Sequence, residues 1–190
     1  MKDIYISFDV ETNGPIPGPF SMLSIGCAAY EYPKNLISTF ERNLETLPEA
    51  GEHPDTMKWW KGFPDQYQIC RANQVPPKDA MLDLLAWQKS LPGKSTFAAF
   101  PSGFDFTFLY WYMVNFTKTN SFAFSCVDIK TYAMALLKSD YRRSSKRCLP
   151  KHWFSKELPH THGALDDALE QGEMFMNMLI QNNGGYRGSN

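Results

Sequence analysis

The sequence predicts an α/β protein with a mixed β-sheet, in which an antiparallel meander comes first, parallel strands follow and helices flank the sheet. Three observations support this fold class: strand-like segments stand near the N-terminus, helical patterns then take over, and further strands alternate with helices. With 190 residues, 43% of them hydrophobic, the chain is long enough for one sizeable core. We therefore expect a single domain over residues 1–182 and a flexible polar tail over 183–190.

The first three segments have the composition of strands. Residues 4–10 are rich in β-branched and aromatic side chains and stop before Thr12-Asn13-Gly14-Pro15, which is a turn sequence. Residues 22–30 and 37–43 have the same strand character. Together these segments predict the antiparallel meander at the N-terminus.

Helices account for most of the remaining chain. His53-Pro54-Asp55-Thr56 is typical of a helix start. Residues 77–91 form an amphipathic pattern whose apolar side comprises Ala80, Met81, Leu84, Leu85 and Trp87. Further helices are predicted from residue 104 onward, over 129–137 and over 163–181. Short strands predicted at 95–100 and near 122–127 alternate with these helices.

Composition excludes several classes of protein. The formal net charge is −1, so charge alone does not indicate a nucleic-acid partner. Cys27, Cys70, Cys126 and Cys148 show no C-x-x-C spacing, which argues against a disulfide framework or a structural zinc site. The N-terminal segment lacks the apolar run of a signal peptide, and the most apolar stretch, 104–116, is too short to cross a bilayer. We expect a reducing, cytoplasmic location and no membrane partner.

Charge is uneven along the chain. Residues 1–60 carry four basic and nine acidic groups, and the excess of basic groups lies beyond them. The densest basic stretch comprises Arg142, Arg143, Lys146, Arg147 and Lys151, with no acidic residue between Asp140 and Glu157. Two interpretations stay open: a solvated surface loop, or a mobile phosphate-facing patch.

Asp9 and Glu11 stand two residues apart at the end of the first predicted strand. Side chains at positions i and i+2 leave a strand on the same face, so the two carboxylates converge. Ile4, Ile6 and Phe8 have the opposite parity and face the other way. Two buried like charges are costly unless a cation offsets them, which indicates a metal site.

Asp105 lies at the start of a predicted helix that is apolar almost all round and therefore buried. Two interpretations apply to it. Ser102 and Asp105 have the spacing of a capping box, which would give Asp105 a purely structural role. Alternatively, an acid at the mouth of so apolar a helix requires a cationic partner.

His162 and Asp167 frame the start of the last predicted helix. Five helical residues correspond to roughly 140° of rotation, so the two side chains meet only if His162 precedes the helix and folds back over its first turn. Gly163 permits that bend. Asp166 is interpreted as a first-turn acid favoured by the helix dipole, and Asp128 as the N-cap of the helix over 129–137.

These residues together resemble a known family. The matching segments are Phe8-Asp9-Val10-Glu11-Thr12, Phe104-Asp105 with Phe108-Leu109, Val127-Asp128, and His162 with Ala164, Leu165, Asp166, Asp167 and Ala168. In order and spacing they resemble the DEDDh 3′-to-5′ exonucleases over residues 4–180. The turn after Thr12 and the Trp59-Trp60 pair look most similar to bacterial and phage exoribonuclease-type members. The family fold is a ribonuclease H-like mixed sheet, in agreement with the fold class above.

The resemblance implies a role for each site residue. It implies two Mg²⁺ ions, which Mn²⁺ can replace, with Asp9 as the bridging ligand, Glu11 and Asp167 completing the first ion's site, and Asp105 holding the second. It also implies that His162 is the general base. Candidate substrate-binding residues are Thr12, Asn13, Phe104, one of Trp59 and Trp60, and the basic residues Arg142, Arg143, Lys146 and Arg147.

The implied activity is 3′-to-5′ hydrolysis of single-stranded nucleic acid with release of nucleoside 5′-monophosphates. RNA is slightly favoured as the substrate, and a DNA exonuclease of the proofreading or repair type is the alternative. Two further classes stay open: a catalytically idle domain that binds nucleic acid, and an endonuclease of the wider ribonuclease H-like group. The sequence does not decide between a monomer and a homodimer.

Overall fold

The computed structural model describes residues 2–119, 124–158 and 161–184. Within these ranges, five strands form one mixed sheet in the order β3-β2-β1-β4-β5. The strands are β1 (Asp3–Thr12), β2 (Met22–Glu31), β3 (Asn35–Asn43), β4 (Lys94–Ala99) and β5 (Val127–Asp128). β1 pairs antiparallel with β2 and parallel with β4. The predicted meander followed by parallel strands is confirmed.

In the described part of the chain, six α-helices connect and cover the strands. They are α1 (Pro54–Trp60), α2 (Pro64–Cys70), α3 (Pro77–Ser90), α4 (Ser102–Thr117), α5 (Ile129–Leu137) and α6 (Ala164–Asn182). The first three begin with proline, whose missing N–H is tolerated in the first helical turn. The sequence did not predict α2, because seven residues are too few to show a helical period.

Alternate residues of β1 divide the core between the two faces of the sheet. Ile4, Ile6 and Phe8 pack with apolar side chains of α3 and α4. On the other face the ring of Tyr5 lies edge-on against Phe175 of α6, with centroids 5.5 Å apart. Because side chains alternate along a strand, Asp9 points to the α6 face as well.

One local prediction was wrong. The strand predicted near residues 122–127 is only β5, because β4 pairs with no more than Val127 and Asp128. Phe124 is 84% exposed and outside the sheet, and residues 122–123 lie outside the described ranges. The basic stretch forms short 3₁₀ turns over Tyr141–Ser144, Lys146–Cys148 and Lys151–Trp153.

Trp153 anchors the basic stretch to α6. Its indole is fully buried and donates a hydrogen bond to Gln181 at 2.8 Å. The Asn177 side chain donates to the Trp153 carbonyl at 2.9 Å. The expected tail begins just after α6, and its residues 185–190 lie outside the described part of the chain.

Helix α6 lies unusually close to the sheet because two glycines leave room for it. A Cβ atom on Gly26 would lie 2.3 Å from the backbone of Ala164, and one on Gly172 would lie 2.5 Å from the Tyr30 ring. Neither contact is sterically acceptable, and at Gly26 the obstacle is backbone. The close approach brings the first turn of α6 to the end of β1.

The substitution Gly26→Ala is expected to lower the free energy of unfolding by about 2 kcal/mol, because overpacking forces α6 away from β2. The melting temperature would then fall by roughly 4–8 °C. Calorimetry checks this against Gly51→Ala, where a Cβ has no neighbour within 4 Å. Equal melting temperatures for the two variants would show that α6 does not depend on this approach.

Within the described ranges, no helix combines the length and apolar character needed to cross a membrane.

Candidate active site

Three carboxylates meet where the end of β1 faces the start of α6. Asp9 and Glu11 come from β1, and Asp167 comes from the first turn of α6. One oxygen of each lies within 4.8 Å of the others. Glu11 is 8% exposed and Asp167 is 2% exposed. The convergence predicted for Asp9 and Glu11 is present, and the fold adds Asp167 to the pair.

Asp105 approaches the same strand from α4. Its Oδ1 accepts a hydrogen bond from the Val10 backbone N–H at 3.2 Å, and the residue is 5% exposed. The capping-box interpretation was wrong: Pro101 is the N-cap of α4, and the Ser102 N–H donates to Asp128 at 2.7 Å. Asp105 is therefore aimed at β1 rather than at its own helix.

Asp128 has the structural role predicted for it. It is the N-cap of α5, where its Oδ1 accepts from the Thr131 N–H at 2.6 Å. Burial alone would raise the pKa of this carboxyl, but the hydrogen bonds from Thr131 and Ser102 lower it below its usual value. Asp128 thus stays ionised and joins the starts of α4 and α5.

The acids repel one another, which makes the site a fit for divalent cations. Burial raises the pKa of Asp9 well above its usual value, and the neighbouring charges of Asp105, Glu11 and Asp167 raise it further. Burial also raises the pKa of Asp105 to about 7. Hard divalent cations take carboxylate oxygens as ligands and would offset this repulsion. The donor set and its electrostatics therefore fit the metal that the resemblance implies.

His162 folds back in front of α6, as the sequence predicts. The loop is held there because the Thr161 N–H donates to Asp167 Oδ1 at 3.0 Å. The bend is not made by Gly163, whose φ of −110° is accessible to any residue. His162 itself has the left-handed conformation, with φ of 60°. Such a conformation is strained for a residue with a Cβ and is often found at functional sites.

Aromatic rings fix the imidazole of His162. The Trp59 ring lies 5.0 Å from it and the Phe63 ring 4.4 Å from it, centroid to centroid, both in edge-to-face arrangements. Trp59 and Phe63 come from α1 and from the residue just before α2. The N-terminal helices therefore position a residue that is separated from them by about a hundred positions in the sequence.

An open cavity of about 290 Å³ adjoins the carboxylates. Its lining comprises Val10, Glu11, Thr12, Gly14, Pro15, Thr56, Trp59 and Phe104. Trp59 is 43% exposed and Phe104 is 40% exposed, so two aromatic faces border the opening. The cavity thus brings together three of the residues expected to bind substrate, namely Thr12, Phe104 and Trp59.

Two other candidates have structural roles instead. Trp60 is 2% exposed, and its indole N–H donates to the Thr12 carbonyl at 2.9 Å. The Asn13 side chain is buried and accepts from the Ser21 N–H at 2.6 Å. These contacts hold the turn after β1 in place and leave neither side chain facing the cavity.

The basic stretch divides into one inward and several outward side chains. The ammonium of Lys146 makes an ion pair with Glu170 of α6. Arg142, Arg143 and Arg147 are exposed. Lys151 is exposed as well, so the stretch approaches the carboxylate cluster at Lys146 and presents its other four cations to solvent.

Sequence reasoning missed two residues of α6. The Gln171 side-chain amide donates to the Phe8 carbonyl at 3.0 Å and contacts Asp9 Oδ1 at 3.4 Å. Glu170 pairs with Lys146. The available signal was helical spacing, since positions three and four after Asp167 lie on the same side of the helix.

A search against protein-family models returns no match. Among curated proteins, the chain is 30% identical over 180 residues to the 3′-5′ DNA exonuclease Cap18 of Escherichia coli, covering 92% of this chain and 90% of that protein. This relationship extends over nearly the whole of both proteins.

Solved structures share the fold. The nuclease domain of 3′hExo, described as a DEDDh family member bound to rAMP, superimposes with a TM-score of 0.64 at 12% identity, covering 96% of this chain and 92% of that chain. The zinc-bound complex of Escherichia coli ExoI with single-stranded DNA gives 0.67 at 15% identity, covering 97% of this chain and 42% of that one. Both likenesses concern the ribonuclease H-like fold alone. The relationship to Cap18, together with the four converging acids and His162, places this chain in the DEDDh family of 3′-to-5′ exonucleases.

Proposed function

We propose that this 3′-to-5′ exonuclease hydrolyses single-stranded DNA from its 3′ end and releases nucleoside 5′-monophosphates. The observation that carries the proposal is the convergence of Asp9, Glu11 and Asp167 beside His162 and an open cavity with aromatic walls. The carboxylates supply metal ligands, the imidazole supplies a base, and the cavity has room for a terminal nucleotide.

We propose DNA as the substrate, although the sequence alone slightly favours RNA. The relative with 30% identity is named a DNA exonuclease. RNA stays the second candidate substrate, since discrimination depends on contacts with a 2′-hydroxyl group. The cytoplasmic location stays a prediction, and a homodimer stays one of two possible oligomeric states.

Two Mg²⁺ ions, replaceable by Mn²⁺, are the cofactor we propose. Asp9, Glu11 and Asp167 would hold one ion, and Asp9 with Asp105 would hold the other. When bound, such ions supply the positive charge that activates water and stabilises the transferring phosphoryl group. The hydrogen bond from the Val10 N–H holds Asp105 towards β1, and the side-chain amide of Gln171 contacts the Asp9 carboxylate from α6.

The protein's own side chains bind the strand end and move a proton. Trp59 and Phe104 would stack against the terminal nucleotide from the rim of the cavity. His162 would take the proton from the attacking water through a ring nitrogen, a role that histidine side chains commonly have in general acid–base catalysis. The contacts of Trp59 and Phe63 with the imidazole keep it oriented for this transfer.

A comparison of matched strands tests the substrate assignment. One sequence is prepared as 5′-labelled linear DNA, as 5′-labelled linear RNA and as circular single-stranded DNA, each incubated with Mg²⁺. We expect a ladder that shortens from the 3′ end of the linear DNA, slower shortening of the RNA, and an intact circle. Faster loss of RNA would replace DNA by RNA as substrate, and cleavage of the circle would favour the endonuclease alternative.

The exposed arginines of the basic stretch are expected to guide the strand. Replacing Arg142, Arg143 and Arg147 together by Glu should weaken DNA binding at low salt. It should also make the slope of log binding constant against log salt concentration shallower by about two units, because each contact with a single-strand phosphate contributes about 0.7 to that slope. The binding titrations use a catalytically inactive background so that the strand survives.

The matched control is Lys89→Glu, which reverses the charge of an exposed lysine in the last turn of α3. An unchanged salt slope in the triple variant would assign the arginines to ordinary solvated surface, the alternative that the sequence left open.

A further inference from the structure

Lys146 is the one member of the basic stretch whose charge is directed inward. Its ammonium pairs with Glu170, which lies three residues after Asp167 on α6 and is largely buried. The same ammonium lies 5.9 Å from the centre of the Phe100 ring, just beyond the end of β4. Burial raises the pKa values of Asp9 and Asp105, and the Lys146 charge acts against that rise at both. Lys146 therefore lies beside the carboxylate cluster.

His162 and Lys146 flank the cluster from opposite sides. His162 contacts Phe63, which packs with Trp60 and Leu23 on the β2 side of β1. Lys146 lies near Phe100 on the β4 side. Since β2 and β4 are the two neighbours of β1 in the sheet, the carboxylates at the end of β1 stand between the imidazole and the ammonium.

Phosphodiester hydrolysis needs groups on both sides of the phosphorus. The attacking water and the leaving oxygen stand roughly in line, so a base that serves the water faces one side and any proton donor for the leaving oxygen faces the other. The leaving 3′-oxygen of DNA is a poor leaving group and gains from protonation as its bond to phosphorus breaks. Lys146 stands on the side opposite His162, where that oxygen would depart.

We propose that Lys146 is a further catalytic residue, which donates a proton to the leaving 3′-oxygen, and that Glu170 is its positioning residue. The proposal rests on the proposed function. The bond between phosphorus and the 3′-oxygen breaks, its electron pair stays on that oxygen, and the oxygen takes a proton from the ammonium. The water oxygen bonds to phosphorus after giving its proton to His162, and the neutral amine regains a proton from bulk water.

The ammonium has the donors that this role requires. A lysine ammonium carries three N–H groups. Glu170 accepts one of them, and among the described residues no other hydrogen-bond acceptor of Lys146 is present. The ion pair thus fixes the direction of the side chain while donors are left for substrate.

The leaving group distinguishes this role from a structural one. Thymidine 5′-(p-nitrophenyl phosphate) presents the same nucleotide, but its p-nitrophenolate departs without help from an acid. Lys146→Met is expected to slow kcat on a short oligodeoxynucleotide about a hundredfold, and on the ester no more than about threefold. Glu170→Gln should show the same selectivity with a smaller loss. Hydrolysis of the ester reports directly that each variant is folded.

Two comparisons sharpen the result. Lys146→Arg keeps the charge but cannot release a proton at neutral pH, so it should stay slow on the oligonucleotide; recovery of the rate would overturn proton donation. Lys89→Met is the matched control and should leave both rates unchanged, because this exposed lysine lies at the end of α3.

Equal losses on the two substrates, or no loss on either, would also overturn the role of Lys146. The proposed function fails in a different way: the wild-type protein would then hydrolyse no DNA strand from its 3′ end. A wild-type protein that is active on DNA, combined with equal losses in Lys146→Met, would contradict only the assignment of the lysine.

Discussion

Replacing Asp9 with Asn is expected to lower the exonuclease rate at least about a hundredfold, because a ligand shared by both metal positions is lost from the centre of the cluster. The same change should stabilise the metal-free protein. Burial and the neighbouring acids raise the pKa of Asp9. Ionised Asp9 is therefore less stable in the folded protein than in the unfolded chain, so its charge lowers the free energy of unfolding at neutral pH. We expect the melting temperature in EDTA to rise by about 2–6 °C.

The opposite signs of the two effects make this test informative. Steady-state hydrolysis and calorimetry are measured on the same preparation, with Asp3→Asn as the control, since Asp3 is an exposed acid at the far end of the same strand. A variant that keeps more than about a tenth of the wild-type rate would contradict the assignment of Asp9 as the shared ligand.

Replacing His162 with Asn is expected to lower kcat by about a hundredfold to a thousandfold while KM changes little, because the base is removed and the strand-binding cavity is kept. Asn tolerates the left-handed backbone conformation better than most residues, so the loop before α6 should keep its course. Single-turnover kinetics at saturating DNA measure the chemical step directly.

The control for this substitution is His152→Asn, which changes an exposed histidine that contacts Gln181 near the end of α6. If His162→Asn kept the wild-type rate of the chemical step, the imidazole would not be the base, and its contacts with Trp59 and Phe63 would serve only to shape the loop.

The features that could be predicted from sequence are those that follow from the two-residue repeat of a strand or the 3.6-residue repeat of a helix. The alternation in β1 placed Asp9 and Glu11 on one face and Ile4 and Phe8 on the other, and the structure has this division. Adjacent residues of a helix point about 100° apart, so only one of Trp59 and Trp60 needed to be buried. The structure shows that Trp60 is the buried one.

The parts that could not be predicted depend on tertiary packing. Local sequence favoured a capping role for Asp105 as strongly as a site role, and only the approach of α4 to β1 decides between them. Lys146 appears in the sequence as one member of a basic run. Two contacts account for the inward direction of the Lys146 side chain. Trp153 anchors the segment to α6, and the Glu170 carboxylate forms an ion pair with the Lys146 ammonium.

The first product released from a 5′-labelled DNA strand shows whether the carboxylate cluster carries out metal-dependent hydrolysis from the 3′ end. The reaction is run with Mg²⁺ in water enriched in ¹⁸O and analysed by mass spectrometry. We predict nucleoside 5′-monophosphates from the 3′ end with one ¹⁸O atom in the phosphate, and no product in EDTA or with Asp9→Asn. Nucleoside 3′-phosphates, fragments from the interior of the strand, or undiminished release in EDTA would contradict a metal-dependent 3′-to-5′ exonuclease built on these carboxylates.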